Sequence, residues 1–142
     1  MIRTARRDDL NELVAIEQRC FTTNRLSRRR LHYMVHNPKA RMLVFEEQGV
    51  VCGYLLTFVH ARSKLARHYS LAVLPQHRRK GIAERLLKTM EDQCGKKGVK
   101  LEIRADNKTA MTLYARLGYQ MRRRIESFYE DGMDALEMVK ML

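Results

Sequence analysis

The chain of 142 residues has little cysteine and proline, no tryptophan and no long apolar run. Its three cysteines, Cys20, Cys52 and Cys94, are far apart and odd in number. They predict neither a disulfide framework nor a metal site, and we expect small buried side chains. No apolar stretch approaches the ~20 residues of a membrane span, and residues 1–7 lack the apolar centre of a signal peptide. We therefore expect a cytoplasmic protein with no membrane partner and no metal.

Acidic residues are scarce as well. Asp and Glu number 16 against 28 Lys and Arg, which gives a formal net charge of +12 at pH 7. This excess favours anionic partners, namely cofactor phosphates, an acidic protein or RNA, and it disfavours a polycationic substrate. Two arginine triplets, Arg28–Arg30 and Arg122–Arg124, raise the local charge density. The alternative is that most of these charges lie on solvated faces and help to hold one anionic cofactor.

The remaining composition is that of a folded protein, with 45% hydrophobic residues in a length that fits one domain over residues 1–142. The apolar periodicity predicts a mixed α/β domain in the order β-α-α-β-β-β-α-β-α-β-β. Strands are predicted over residues 2–5, 42–46, 50–60, 66–74, 99–104, 119–130 and 133–141, the last two joined by a hairpin turn at Asp131-Gly132. Helices are predicted from a cap at Asp8 or Asp9 to about Phe21, from Ser27 to about Asn37, from Ile82 to Cys94, and from Asp106 or Asn107 to Leu117.

A tight basic turn, Arg78-Arg-Lys-Gly-Ile-Ala83, follows the apolar run Tyr69–Pro75 and opens the third predicted helix. Backbone N–H groups at such a turn point outward at the positive end of a helix, which suits a phosphate group. Gly81 and Ala83 are small enough to let a ligand approach the main chain closely. The turn therefore predicts a phosphorylated cofactor.

The spacing of Arg78, Gly81 and Ala83 fits the pattern Gln/Arg-x-x-Gly-x-Gly/Ala. Together with the order of elements, it resembles the GCN5-related N-acetyltransferase (GNAT) family over nearly the whole chain. A second block, Leu101–Tyr119, looks like a later motif of that family. A third block, Phe128–Met138, is similar to the C-terminal hairpin of protein N-terminal acetyltransferases, including the ribosomal-protein alanine type. The resemblance implies a single GNAT-like domain with a mixed central sheet of about seven strands and about four helices.

The resemblance also implies acetyl-coenzyme A (acetyl-CoA) as acetyl donor and a primary amine as acceptor. Of the amines, the N-terminal α-amine of a protein or peptide is favoured. By the same resemblance, the main chain of Leu71 and Val73, in the predicted strand 66–74, would pair with the pantetheine arm. Asn107 would contact that arm as well, although its alternative role is to cap a helix. The amides of Arg79, Lys80, Gly81, Ile82 and Ala83 would hold the pyrophosphate, and Arg78 is a further cofactor-binding residue of the same turn.

Two residues are predicted to carry the chemistry, since the amine must lose a proton and the thiolate of coenzyme A must leave. Glu102 matches the acidic residue implicated in amine deprotonation within the subgroup, and Tyr114 matches the family's tyrosine, a candidate general acid. The alternative for Glu102 is an exposed strand carboxylate paired with Lys100 or Arg104. The alternative for Tyr114 is an aromatic side chain of the core. An α-amine has a pKa near 7.7–8.0, so a weak base or a water relay suffices.

Three aromatic residues bear on the identity of the acceptor. Tyr129 is expected to bind the peptide backbone and Tyr33 to border the acceptor groove, whereas Phe128 stands where the subgroup commonly has a second tyrosine. One alternative keeps the fold and donor but uses a small-molecule amine or a lysine side chain. Another is a catalytically idle module associated with RNA or the ribosome, and ribosome association of the active enzyme is also left open.

Overall fold

A seven-stranded mixed sheet lies at the centre of the protein, and the computed structural model describes all of residues 1–142. The strands are β1 (Ile2–Thr4), β2 (Ala40–Glu47), β3 (Val50–Phe58), β4 (Leu65–Val73), β5 (Gly98–Arg104), β6 (Gln120–Ile125) and β7 (Ala135–Met141). The helices are α1 (Leu10–Cys20), α2 (Arg28–His36), α3 (Ile82–Gln93) and α4 (Lys108–Arg116). None of these helices combines the length and apolar character needed to span a bilayer. The order of elements confirms the predicted α/β class.

The single parallel strand pair of this sheet is much shorter than the strands that form it. The strands lie side by side in the order β1-β2-β3-β4-β5-β7-β6, and all neighbours are antiparallel except β4 and β5. This parallel pair joins only residues 65–67 to residues 98–100, although the strands continue to Val73 and Arg104. Beyond Arg67 the two strands separate, and the gap between them is called the β4–β5 opening below.

Each face of the sheet packs against its own pair of helices, because successive side chains of a strand point to opposite faces. The α1/α2 face buries Leu13 and Leu31 in one apolar cluster with residues of β2 and β3. The α3/α4 face buries Leu86, Met90 and Tyr114 in a second cluster on the other side of the sheet. The β4–β5 opening is therefore reached from two different faces.

The helix starts differ in how their free amides are satisfied. Ser27 Oγ accepts a hydrogen bond from the Arg30 amide at the start of α2 (3.2 Å), and Asn107 Oδ1 accepts one from the Ala110 amide at the start of α4 (3.0 Å). Both caps confirm the sequence prediction. In contrast, α3 begins after Gly81, whose φ of 77° is left-handed and which has no side chain to serve as a cap.

The predicted tight hairpin at Asp131-Gly132 is wrong. β6 ends at Ile125 and β7 begins only at Ala135, so residues 126–134 form a loop. Asp134 is the physical reason, because its carboxylate accepts hydrogen bonds from the Ser127 amide (2.9 Å) and from Arg124 Nε (2.6 Å). A side chain that captures a backbone amide in this way ends the strand ladder. Asp131 and Gly132 lie within the loop.

Candidate active site

Main-chain groups of Leu71 and Val73 face the β4–β5 opening. The Leu74 amide donates to the Cys52 carbonyl (2.8 Å). Because hydrogen-bonded and non-hydrogen-bonded pairs alternate in an antiparallel ladder, Val73 opposite Gly53 and Leu71 opposite Leu55 turn their N–H and C=O groups away from β3. β5 has already separated at this point, which leaves these groups without a strand partner. An extended ligand can therefore add to this edge as an extra strand would.

One of these groups is already in use. The Val73 carbonyl accepts a hydrogen bond from Arg78 Nε (2.9 Å) and a weaker one from the Cys20 thiol (3.5 Å). Arg78 thus holds the end of β4, and its own amide donates to the Pro75 carbonyl (3.3 Å). The edge that remains for a ligand consists of the Val73 amide and both main-chain groups of Leu71.

The turn between β4 and α3 leaves its amides free. The amides of residues 79–83 make no hydrogen bond within the chain. Arg79 (φ 65°) and Gly81 (φ 77°) both adopt left-handed conformations, which turn successive N–H groups toward one side and form an anion-binding concavity. A Cβ built on Gly81 would meet no atom within 4 Å, so the space in front of the turn is open. These features fit a diphosphate group.

Side chains add less to this turn than its main chain does. Lys80 Nζ lies 3.2 Å from Glu47 Oε1, and His77 Nδ1 lies 3.5 Å from the same oxygen. The hydrogen bond from Lys80 lowers the pKa of the Glu47 carboxyl, so an anion already shares the charge of that lysine. The main-chain amides are therefore the principal donors available to a phosphate here.

A carboxylate lies at the start of the opening on the α1/α2 face. Glu102 is two residues past the last β4–β5 pair, and its neighbours Leu101 and Ile103 point into the α3/α4 core. Its Oε1 accepts hydrogen bonds from Arg67 Nη2 (2.6 Å) and Nε (2.8 Å) across the gap. The side chain is only 8% exposed, and its Oε2 is buried without a hydrogen-bond partner. Buried polar atoms are normally satisfied, so this unpaired oxygen indicates a partner from outside the chain.

Aromatic rings flank the Arg67–Glu102 pair. The Arg67 guanidinium lies 5.6 Å from the centre of the Tyr69 ring, and the Arg104 guanidinium lies 5.1 Å from that of Tyr129. Burial raises the pKa of Tyr129, so its hydroxyl keeps its proton at neutral pH. The predicted residues Glu102 and Tyr129 are thus brought to the same side of the sheet.

Sequence reasoning missed Arg67 and Tyr69. The register of β3 and β4 shifts between the pairs Leu56–Ser70 and Thr57–His68, so Tyr69 is an extra residue in β4. A bulge of this kind reverses which side chains face each side of the sheet. The alternation of residues 66–74 carries no signal for it, and only the pairing with β3 reveals it.

Tyr114 lies on the α3/α4 face of the sheet. It is buried, its ring packs edge-on against Tyr119 with centroids 5.4 Å apart, and burial alone raises its pKa to about 12. Its hydroxyl makes no hydrogen bond within the chain and is not among the fully buried polar atoms. The hydroxyl therefore has a free donor.

A chain of hydrogen bonds holds the Tyr119 ring, which packs against Tyr114. The Tyr119 hydroxyl donates to Glu91 Oε2 (2.9 Å), and the other oxygen of Glu91, Oε1, accepts a hydrogen bond from Lys140 Nζ (2.9 Å). His68 Nε2 lies 3.0 Å from the Tyr119 hydroxyl and its Nδ1 lies 2.8 Å from Thr57 Oγ1. Because the tyrosine proton goes to Glu91, Nε2 is the donor to Tyr119 and Nδ1 accepts from Thr57. Burial lowers the pKa of His68 to about 4, so the ring is neutral.

Two further predicted site residues, Asn107 and Tyr33, lie at the start of α4 and within α2. Asn107 caps α4 through its side chain, and this leaves its predicted contact with the pantetheine arm a prediction. Tyr33 is 63% exposed on α2, which packs against β2, three strands away from Glu102 in the order of the sheet. Its predicted place at the border of the acceptor groove therefore stays a prediction. No group of three or more His, Cys, Asp or Glu side chains is arranged to hold a metal ion.

Comparison with known proteins places this geometry in context. The sequence model of the acetyltransferase (GNAT) domain matches residues 6–142. The catalytic subunit NAA10 of the N-terminal acetyltransferase A complex of Arabidopsis thaliana is 31% identical over 148 residues, which cover 99% of this chain and 77% of that protein. An N-alpha-acetyltransferase of Sulfurisphaera tokodaii is 30% identical over 154 residues, which cover 96% of this chain and 90% of the relative.

A solved structure shows the same architecture. The crystal structure of the ribosomal-protein-S18-alanine N-acetyltransferase from Escherichia coli superposes with a TM-score of 0.87 at 25% sequence identity. The superposition covers 99% of this chain and 92% of the other. The fold is therefore shared with an enzyme whose name gives an alanine of ribosomal protein S18 as the acceptor.

Proposed function

This chain belongs to the acetyltransferase (GNAT) family, and we propose from this that it transfers an acetyl group from acetyl-CoA to the N-terminal α-amine of a protein or peptide. The observation that carries the proposal is the β4–β5 opening, which has free main-chain donors on one face and the unpartnered Glu102 Oε2 on the other. A donor and an acceptor can thus approach one gap from opposite faces of the sheet.

The α3/α4 face holds the donor. The free amides of residues 79–83 bind the pyrophosphate, while Arg79 and Lys80 add positive charge. The edge of β4 at Leu71 and the Val73 amide pairs with the pantetheine arm, and Asn107 contacts the same arm from the start of α4. When bound, acetyl-CoA supplies the acetyl group as an activated thioester.

Glu102 acts on the acceptor amine. Its Oε1 is fixed by Arg67, so Oε2 is the oxygen that receives the amine proton, directly or through a water molecule. Deprotonating an α-amine at pH 7 costs about 1 kcal/mol, whereas a lysine side chain costs roughly 4.6 kcal/mol at 1.36 kcal/mol per pKa unit. A carboxylate is a weak base, and this difference favours the α-amine as acceptor.

Tyr114 stabilises the departing sulfur by donating a hydrogen bond. A full proton transfer from a phenol with a pKa of about 12 to a thiolate whose acid has a pKa near 8.5 is uphill by roughly 3.5 units. That difference corresponds to about 5 kcal/mol, which makes proton transfer the less favourable role. The free Tyr114 hydroxyl instead keeps its proton and shares it with the sulfur.

Tyr129 and the loop of residues 126–134 border the acceptor side beside Glu102. The relatives named for N-terminal and ribosomal-protein alanine acceptors make a protein N-terminus the first acceptor class to test. A small-molecule amine or a lysine side chain is the alternative within the same fold. The cytoplasmic location expected from the sequence fits a ribosomal or nascent-chain acceptor.

Mass spectrometry tests the acceptor. The protein is incubated with acetyl-CoA and a peptide panel in which each peptide has a free N-terminus and an internal lysine. Matched peptides have a blocked N-terminus, and a set of small amines is included. We expect acetylation of the free N-termini only. Acetylation confined to lysines or to small amines would overturn the proposed acceptor.

Thermal shift with acetyl-CoA tests the donor separately, because a ligand that binds the folded state raises its melting temperature by mass action. Desulfo-coenzyme A retains the diphosphate and serves as a control for the turn of residues 79–83. A melting temperature that neither compound raises would indicate an idle module and reject the enzyme.

A further inference from the structure

The two arginine triplets differ in their ion pairs, since Arg122–Arg124 form them and Arg28–Arg30 do not. In β6, Arg122 Nε lies 2.6 Å and Arg123 Nε 3.3 Å from Glu137 Oε1, and Arg124 Nε lies 2.6 Å from Asp134 Oδ2. Glu137 is only 1% exposed. Although burial alone would raise its pKa, hydrogen bonds from Arg122 and Arg123 lower the pKa to about 2. Each arginine of this triplet therefore has a carboxylate partner within the chain.

The triplet Arg28–Arg30 in α2 has no such partners. Arg28 Nη2 donates to the uncharged Asn11 Oδ1 (2.7 Å), and none of the three guanidinium groups forms an ion pair. The first turn of α2 contains no acidic residue, and all three side chains are exposed. The start of α2 is thus an uncompensated patch of positive charge.

This arrangement is unfavourable for the helix itself. The N-terminus of a helix carries a partial positive charge, so basic residues there are destabilising and acidic residues are preferred. Only the Ser27 cap offsets the effect in α2. Three arginines at this position indicate a partner that supplies negative charge from outside the chain.

Planar rings continue the patch along the helix. Arg29, His32, Tyr33 and His36 follow the spacing i, i+3, i+4, i+7 and so share one face of α2. All four are exposed, and the rings of His32 and His36 lie 4.7 Å apart. The buried residues Leu31 and Met34 occupy the opposite face, against the sheet.

We propose that this outward face of α2 binds single-stranded RNA, with the arginines on phosphates and Tyr33 stacked on a base. Guanidinium groups form bidentate hydrogen bonds with phosphates, and exposed rings beside them provide the stacking platform that unpaired bases use. A membrane surface fits less well because Tyr33 is the only large hydrophobic residue exposed on the helix. A carboxylate-rich peptide gives the rings no comparable role.

The RNA face and the acetyl-CoA site lie on opposite faces of the sheet. α2 packs on β2 in the α1/α2 cluster, whereas the turn of residues 79–83 begins α3 in the other cluster. RNA and acetyl-CoA therefore bind independently. An enzyme held on an RNA-rich surface would meet protein N-termini there without any change in its chemistry.

Fluorescence anisotropy with a labelled oligouridylate of about 12 nucleotides tests the proposal over about 50 to 300 mM KCl. The test variant replaces Arg28, Arg29 and Arg30 with Gln. Its matched control replaces Arg62, Lys64 and Lys97, which are exposed and form no ion pair, with Gln. Both variants lose the same formal charge. Thermal shift with acetyl-CoA monitors folding and donor binding in each.

We expect the α2 variant to bind RNA at least about tenfold more weakly and to lose about 2 from the slope of log affinity against log salt. The control keeps both values, and Tyr33→Leu weakens binding severalfold without changing the slope. Equal losses in the two triple variants would reject a defined face. No binding by the unmodified protein, or stronger binding of polyglutamate or of anionic vesicles than of RNA, would also overturn the proposal. An unchanged acetyl-CoA response in either case leaves the acetyltransferase proposal standing.

Discussion

The two faces of the β4–β5 opening are built from different parts of the chain. On the α3/α4 face, the donors are main-chain amides of residues 79–83 in a left-handed turn. On the α1/α2 face, the functional groups are side chains, with Glu102 held by Arg67 beside Tyr129. Every residue type except proline carries a main-chain N–H group, whereas a carboxylate at one position requires Asp or Glu. The first face should therefore tolerate side-chain changes that the second face does not.

The largest effect is expected from Glu102→Gln. The amide cannot accept the proton of the acceptor amine, so we expect kcat/KM to fall about 100-fold near neutral pH and more at lower pH, where more of the amine is protonated. Rates measured over about pH 6 to 9 with an acceptor peptide check this dependence. Calorimetry should show unchanged acetyl-CoA binding.

Asp8→Asn provides the matched control, since Asp8 is an exposed carboxylate that precedes α1 and forms no ion pair. It should retain the rate and pH profile of the unmodified enzyme. If Glu102→Gln behaves in the same way, Glu102 is not the base.

The second prediction concerns His68, which follows Arg67 in β4 and therefore lies on the opposite face of the sheet. His68 is neutral and buried with a pKa of about 4, but in the unfolded chain its pKa is near 6.5. The unfolded state therefore binds more protons between these values, and stability falls as the pH drops from about 6.5 toward 4. The full difference amounts to at most about 3 kcal/mol. Urea unfolding between about pH 7 and 5 measures the part of this fall that lies above pH 5, about 2 kcal/mol.

His68→Gln should flatten this pH dependence, although the variant will be less stable overall because Thr57 and Tyr119 lose a partner. His32→Gln, at an exposed position, should keep the slope of the unmodified protein. Identical slopes in all three proteins would contradict a neutral buried His68.

Gly81→Ala should weaken acetyl-CoA binding about tenfold, because a methyl group would project into the open space in front of the amides. The left-handed φ of 77° also costs a non-glycine residue about 1–2 kcal/mol of folding stability. Gly95→Ala isolates this strain, since Gly95 has a φ of 68° and no atom within 4 Å of its Cβ position. Calorimetry should show normal acetyl-CoA affinity for Gly95→Ala, and equal affinities in both variants would place the diphosphate elsewhere.

Tyr114→Phe should slow turnover roughly fivefold at saturating acetyl-CoA, as expected for the loss of one hydrogen bond of about 1 kcal/mol. Stability should change little because the Tyr114 hydroxyl has no partner within the chain. Tyr119→Phe is the contrasting variant: it removes the hydrogen bonds to Glu91 and His68 and should lower stability by about 1–3 kcal/mol. A Tyr114→Phe enzyme with the full rate would leave only a packing role.

The smallest effect is expected from Lys80→Gln on the α3/α4 face. Lys80 is half-exposed and already shares its charge with Glu47, so acetyl-CoA affinity should fall less than about threefold. Equilibrium binding at two salt concentrations checks this value. A loss as large as that of Gly81→Ala would show that side chains, rather than amides, hold the phosphates.

Local features of this protein were predictable from sequence because neighbouring residues determine them. The turn of residues 79–83, the caps at Ser27 and Asn107 and the order of elements all follow from short patterns. The hairpin failed because Asp134 captures the distant Ser127 amide, which no local pattern reveals. Tyr69 was missed for a similar reason, since its position depends on the register of β3.

The amino-acid sequence by itself determined the free amides before α3, because Gly81 removes the side chain that would cap them and the turn needs no other part of the chain. Only the tertiary structure decided that Arg67 fixes Glu102 across a gap, and that one arginine triplet has carboxylate partners while the other has none. Those outcomes depend on strand register and on which distant acidic residues come within reach. Charge–charge contacts act over a few ångströms in space, whatever the separation along the chain.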